Sequence, residues 1–278
     1  MNARTALRWS GYVAIAVVFA LACVLLSNWQ FDRMAERDAE LALVAGNYDR
    51  DPVPLGDVVP AGEDFDADDE WRPVTLRGEY LSDETLLVRN RPRGGTSAFE
   101  VLVPFRTDDG RIVIVDRGWV PPGQDRPEPD TVPAAPAGEV TVTGRLQPGE
   151  MSARDGRSAP EGQVPTIDLP LIADLLGDED RTLASAYVLM NAEDPAPADR
   201  PNALEAPSED PGPHLSYAIQ WILFAVMGFA FIWYMIRTEM KHRREDAEIE
   251  AGVRDRPSRP TRRRDRDMQD EDELLDAR

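Results

Sequence analysis

A long uncharged apolar run constrains a chain more than any other feature, and this chain has two. No side chain from 215 to 236 is charged, and about twenty apolar residues in a helix are long enough to cross a bilayer. A second run, WSGYVAIAVVFALACVLLS, covers 9–27. A secretory signal would have a shorter apolar core and a small-residue cleavage site. Ala20-Leu21-Ala22-Cys23 fits a lipoprotein cleavage box poorly at its first position, and the apolar run continues through Leu26. An uncleaved span is therefore favoured over lipid attachment.

The basic residues set the orientation. Arg4 and Arg8 precede the first run, and Arg237, Lys241, Arg243 and Arg244 follow the second, whereas 201–213 holds no base. The positive-inside rule then puts both termini in the cytoplasm and 29–213 outside. Trp9 and Tyr12 at one end of the first run match Trp233 and Tyr234 at the end of the second, as an interfacial aromatic belt would. The chain reads as an α+β membrane protein, with two transmembrane helices flanking an extracytoplasmic, mainly antiparallel β domain. The expected divisions are a cytoplasmic N-terminus at 1–8, a first span at 9–28 and a β-rich domain at 29–213. A second span at 214–236 and a charged, disordered cytoplasmic tail at 237–278 complete the chain.

With 51 acidic against 31 basic residues the formal net charge is −20, which argues against nucleic acid as a partner. Nearly all the imbalance lies in 29–213, with 38 acidic and 17 basic residues; solvation is the plain reading of that excess. The single cysteine, Cys23, excludes an internal disulfide and a thiolate metal site. The acidic run 63–70 lacks the spacing of a calcium loop. There is no P-loop, no H-E-x-x-H, no dinucleotide fingerprint and no G-x-S-x-G, so nothing supports an enzyme.

Within the outer domain, 32–45 continues as helix and 49–70 reads as loop. About six antiparallel strands are expected. Asp109-Gly110 between apolar runs marks a hairpin, and the unbroken run 112–115 points to burial on both faces. Further strands fall near 140–146 and 187–190, with a short helix at 170–176. The stretches 147–166 and 193–213 look like loose loops. Arg89, Arg91 and Arg93 alternate, so on an extended segment they would share a face suited to carboxylate or propionate recognition; on a loop after a strand such arginines are usually solvated, which is the favoured reading. Arg117-Gly118-Trp119 after a buried strand fits a packing corner and a recognition site equally well.

His214 is the one histidine outside the cytoplasm. Pro211-Gly212-Pro213 ends any earlier helix, which puts His214 at a helix N-terminus. The dipole there disfavours an added positive charge, and neutral imidazole is the form that binds a metal or haem iron. Tyr217, Ala218 and Trp221 follow at +3, +4 and +7 on the same face, and the small Ala218 and Ala225 leave room for a flat ligand or a second helix. An interfacial histidine that packs with the aromatic belt is the competing reading. Trp29 and Gln30 close the first run at the same outer depth, as an anchor and a helix-end polar group.

Together these pieces resemble the Surfeit locus protein 1 family of cytochrome c oxidase assembly factors. The motif G-x-W-Q-x-x-R is similar to Trp29, Gln30 and Arg33, although Ser27-Asn28 stand where the family has glycine before the tryptophan. Middle motifs resemble 88–91, Val103-Pro104, Asp109-Gly110-Arg111 and 117–121. The last, H-x-x-Y-A-x-x-W, is matched by His214, Tyr217, Ala218 and Trp221 without a gap. The resemblance covers about 9–237. It implies a role in building the haem-containing core subunit of a terminal oxidase in the cell membrane, with haem a as cofactor. His214 becomes the candidate axial ligand, with Trp29, Gln30, Tyr217 and Trp221 near the haem. The implied partners are the oxidase core subunit, the haem-synthesis machinery and membrane lipid. A haem-free scaffold for oxidase subunits, and an outer-surface enzyme or sensor, are the alternatives. Copurified haem separates the first from these, and activity of the outer domain freed of its spans would mark the last.

Overall fold

A computed structural model describes residues 3–152 and 159–252, with side chains from residue 7 onward. The chain forms two compact units, Met1–Asp32 with Pro213–Arg278, and Arg33–Gly212.

The first unit is a pair of helices. α1 runs Ala3–Asn47, its last turns belonging to the second unit, and α4 runs His214–Glu250. Both contain windows long and apolar enough to cross a membrane. Their contacts are antiparallel: Ser27 Oγ donates to the Ala218 carbonyl at 3.1 Å, and Arg8 pairs with Glu239 at 3.4 Å. Cys23, Ser27 and Gln30, at i, i+4 and i+7, are the buried residues of this stretch of α1, and Ala218 is the buried residue of α4. Small side chains let the two backbones approach. Large apolar residues around the rest of the pair face outward, among them Leu25, Leu223 and Phe231. α4 continues as helix through 237–250, where disorder was expected, supported by an Arg243–Glu239 pair one turn apart. The tail from 253 lies outside the described residues.

The second unit is built on one sheet. Its strands are β1 (Val53–Pro54), β2 (Pro73–Tyr80), β3 (Leu86–Arg93), β4 (Thr96–Thr107), β5 (Ile112–Val120), β6 (Val140–Pro148), β7 (Gln163–Val164) and β8 (Ala186–Asp194). Short helices α2 (Leu55–Val58) and α3 (Leu169–Leu176) accompany them. The order is β1-β2-β6-β8-β5-β4-β3-β7, and β2 also pairs with β4, which closes β2, β6, β8, β5 and β4 into a ring. Most pairings are antiparallel; β1–β2, β3–β7 and β5–β8 are parallel. The strand period of two assigns the side chains. Val101, Val103 and Phe105 of β4 join Val113 and Val115 of β5 in one core, while Leu102 and Ile114 face the other way into a second core with Leu169 and Ile172 of α3. The unbroken apolar run in β5 is thus buried on both faces. The hairpin turns at Gly110, whose N–H donates to the Thr107 carbonyl at 2.8 Å with φ at +88°. α3 starts at Asp168, which accepts from Leu171 N, and stops at the left-handed Gly177.

The expected loose loop 193–213 is instead tied down. Trp119 and Asn202 exchange backbone hydrogen bonds at 2.9 and 2.8 Å. Gly118, at φ +117°, makes this possible, since a Cβ there would meet the Asn202 carbonyl oxygen at 2.2 Å. Further on, Arg37 donates to the carbonyls of Ser208 and Asp210 at 2.5 and 3.0 Å.

Candidate functional site

His214 is the first residue of α4, following Pro213, and Gln30 lies three residues beyond Ser27 on the contact face of α1. The pairing of the two helices brings these side chains together. His214 Nδ1 lies 3.0 Å from Gln30 Oε1. A carboxamide oxygen only accepts, so with the amide oxygen turned to the ring this bond takes its proton from Nδ1. The second ring nitrogen, Nε2, makes no hydrogen bond among the described residues, and in this tautomer it carries the lone pair. Gln30 is nearly buried and the His214 ring is partly exposed. The result is one free imidazole donor held by its opposite nitrogen, an arrangement suited to a metal.

The other residues expected at this site are not drawn into the pair. Trp29 and Tyr217 are about half exposed, and their side chains make no hydrogen bond or ring contact among the described residues. Trp221 packs edge-on against Phe224 of its own helix, centroids 5.7 Å apart. No group of three or more histidine, cysteine or acidic side chains is placed to hold a metal ion among the described residues. One imidazole with a free nitrogen is a donor that could hold a haem iron.

The arginines of β3 have a different fate from the solvation expected. A bulge between Val88 and Arg91, with Asn90 at φ +62°, breaks the alternation that would put all three on one face. Arg91 Nη2 donates to Glu150 at 2.7 Å, and its Nε lies 2.7 Å from Glu100. Arg93 donates to Glu100 at 2.8 Å. Burial alone would lower the Arg91 guanidinium, but Glu100 and Glu150 overcome this and raise it. Arg91 and Arg93 are engaged inside their own unit. Beside them Asp116 is fully buried: Oδ1 accepts from Gly118 N at 2.9 Å, and Oδ2 has no hydrogen-bond partner among the described residues. Loss of water, then the nearby Glu100, pushes the Asp116 carboxyl well above its usual range. Burial and the same carboxylates push Tyr187 up and keep it neutral. Of this cluster the sequence brings forward only Arg91 and Arg93; the trace of their partners is Glu100 and Asp116, each set inside an apolar strand run.

Arg117 is a packing corner. It is wholly buried and forked onto Glu193 at 2.7 and 3.3 Å, with Nη1 donating to the Pro133 carbonyl. The Tyr80 hydroxyl donates to the same carboxylate at 2.9 Å. Removing one partner from such a pair costs about 3–5 kcal/mol.

Residues 17–226 match the model of the SURF1 family. The chain belongs to the SURF1 family. The matched range contains Trp29, Gln30, His214, Tyr217 and Trp221, and leaves the charged end of α4 outside. A SURF1-like protein of Mycobacterium tuberculosis strain H37Rv is 35% identical over 246 residues, which is 86% of this chain and 87% of the relative. A SURF1-like protein of Monosiga brevicollis is 25% identical over 254 residues, 85% and 88% of the two chains. The cytochrome oxidase assembly protein SHY1 of Saccharomyces cerevisiae is 27% identical over 122 residues, covering 43% of this chain and 30% of the yeast protein.

Proposed function

We propose that this chain is a membrane-anchored assembly factor for a haem-copper cytochrome c oxidase, one that binds haem a through His214 and hands it to the core subunit. The observation that carries the reading is Nε2 of His214, without a partner among the described residues and held from Nδ1 by Gln30. Family membership and the assembly role named for the yeast relative support it. Haem a is cargo here, which His214 would hold through one reversible iron–nitrogen bond; releasing it changes no covalent bond of the haem or the polypeptide, so the role is binding and hand-over, not catalysis. Arg91 and Arg93, already paired with carboxylates, are not assigned to the cargo.

Exposed Leu, Val, Ile and Phe side chains around both helices would be costly in water and favourable in lipid. With the bases on the far ends of the two runs, this supports a multi-pass protein of the cell membrane with both termini cytoplasmic. The partners are then the oxidase core subunit, the haem-synthesis machinery and the lipid itself.

The test is the visible spectrum of detergent-purified protein from cells that make haem a, beside a His214→Ala variant. A haem band in the parent that is lost in the variant is expected. Equal bands in both would move the ligand elsewhere. A folded protein without haem in either case would favour a haem-free scaffold for oxidase subunits.

A further inference from the structure

We infer that Gln30 is a positioning residue that selects the tautomer of His214 and so decides which ring nitrogen is offered to a ligand. The inference deepens the haem-binding reading and rests on it for its purpose, though its geometry stands without haem. Gln30 and His214 are 184 residues apart in sequence and meet at 3.0 Å. A free histidine side chain exchanges its proton between two nitrogens. With its oxygen facing Nδ1, the Gln30 carboxamide favours the Nδ1–H tautomer, because the other would put two acceptors against each other unless the amide turned over. Nε2, with no partner among the described residues, is the nitrogen left to bind.

The chemistry of the partner matters as well as its place. A carboxylate opposite Nδ1 would draw the proton harder and make Nε2 a more basic ligand. A neutral carboxamide fixes direction without that gain, which suits a ligand that must be given up. Gln30 therefore sets both the approach and the moderate strength of the bond. A merely structural role would show only as weaker helix pairing, the part that the Ser27–Ala218 hydrogen bond plays.

The experiment reads the tautomer directly, by nitrogen NMR of the haem-free, histidine-labelled full chain in detergent. A His242→Asn background leaves His214 as the only histidine. The parent is expected to show Nδ1–H. Gln30→Leu is expected to shift the tautomer ratio about fivefold toward Nε2–H, the worth of one ordinary hydrogen bond. Gln30→Glu and Ser27→Ala are expected to keep Nδ1–H, and Gln30→Glu to retain haem longer than the parent. Nε2–H predominating in the parent would overturn the inference whatever the variants do. So would a ratio unmoved by Gln30→Leu, or moved as far by Ser27→Ala. If Gln30→Leu fails to fold, the parent and Gln30→Glu spectra still decide. A protein with Nδ1–H but no haem would end the haem reading and leave Gln30's role intact; haem bound to a chain with Nε2–H would do the reverse.

Discussion

Asp116 has a buried oxygen without a hydrogen-bond partner among the described residues, and the charges that act on it are Glu100, Arg91 and Arg93. A carboxyl raised in the folded state keeps its proton where the unfolded chain has lost it. Its contribution is therefore fully present below the ordinary value of 3.8 and is lost as pH rises through the raised folded value. Asp116→Asn removes that titration while keeping an oxygen for Gly118 N. Denaturant unfolding across this window should show the parent losing stability with rising pH and the variant losing less. Parallel curves would mean that the proton is not held at Asp116. At this scale the sequence is a poor guide. Glu100 and Asp116 are separate charges in apolar strands until the β4–β5 pairing brings their surroundings together. Gln30 likewise reads as a helix-end polar group until α4 is laid beside it.

Elements were more legible than residues, and unevenly so. The β4–β5 hairpin is written in Asp109-Gly110 with apolar strands on each side, because that turn needs a residue at positive φ. The capped helix α3 is signalled by Asp168, Pro170 and Gly177. β1 and β7 are two residues long and parallel, and no local pattern announces a pairing that short. The parallel β5–β8 contact is also set by ring closure and not by either strand alone. In the helix pair, the seam depends on the smallness of Ala218, which is fully buried beneath Ser27. Ala218→Leu should overpack it at a cost of about 1–3 kcal/mol, measured as a lower unfolding midpoint in detergent. Leu223, which is 60% exposed, is the control: Leu223→Ala should change little. An unchanged midpoint for Ala218→Leu would show that the helices do not pack there.

Over the whole molecule, charge is the dominant property. The 38 acidic and 17 basic residues of 29–213 leave like charges facing one another across the surface. The ion pairs Arg117–Glu193 and Arg93–Glu100 are mostly shielded from solvent. Added salt should therefore screen the surface repulsion more than it weakens these pairs. Thermal unfolding of the protein is expected at higher temperature in 0.5 M than in about 0.05 M sodium chloride, where the Debye length is longest; a fall would mean that surface ion pairs outweigh repulsion. Net charge was fully legible from composition, but which charges are buried was not.

The stretch 195–212 is rich in proline and acidic residues, the composition of a segment that proteases cut readily. A protease must draw an extended strand of substrate into its cleft, and this strand is fastened at two places. Asn202 is zipped to Trp119, and the carbonyls of Ser208 and Asp210 are gripped by Arg37. Limited digestion of the folded protein should spare it, and Arg37→Ala should open a cut near Ser208 while the bonds at Asn202 still protect the residues before it. The run of chain leading up to His214 is in that sense a fitted strap, and its slack is set by a single arginine.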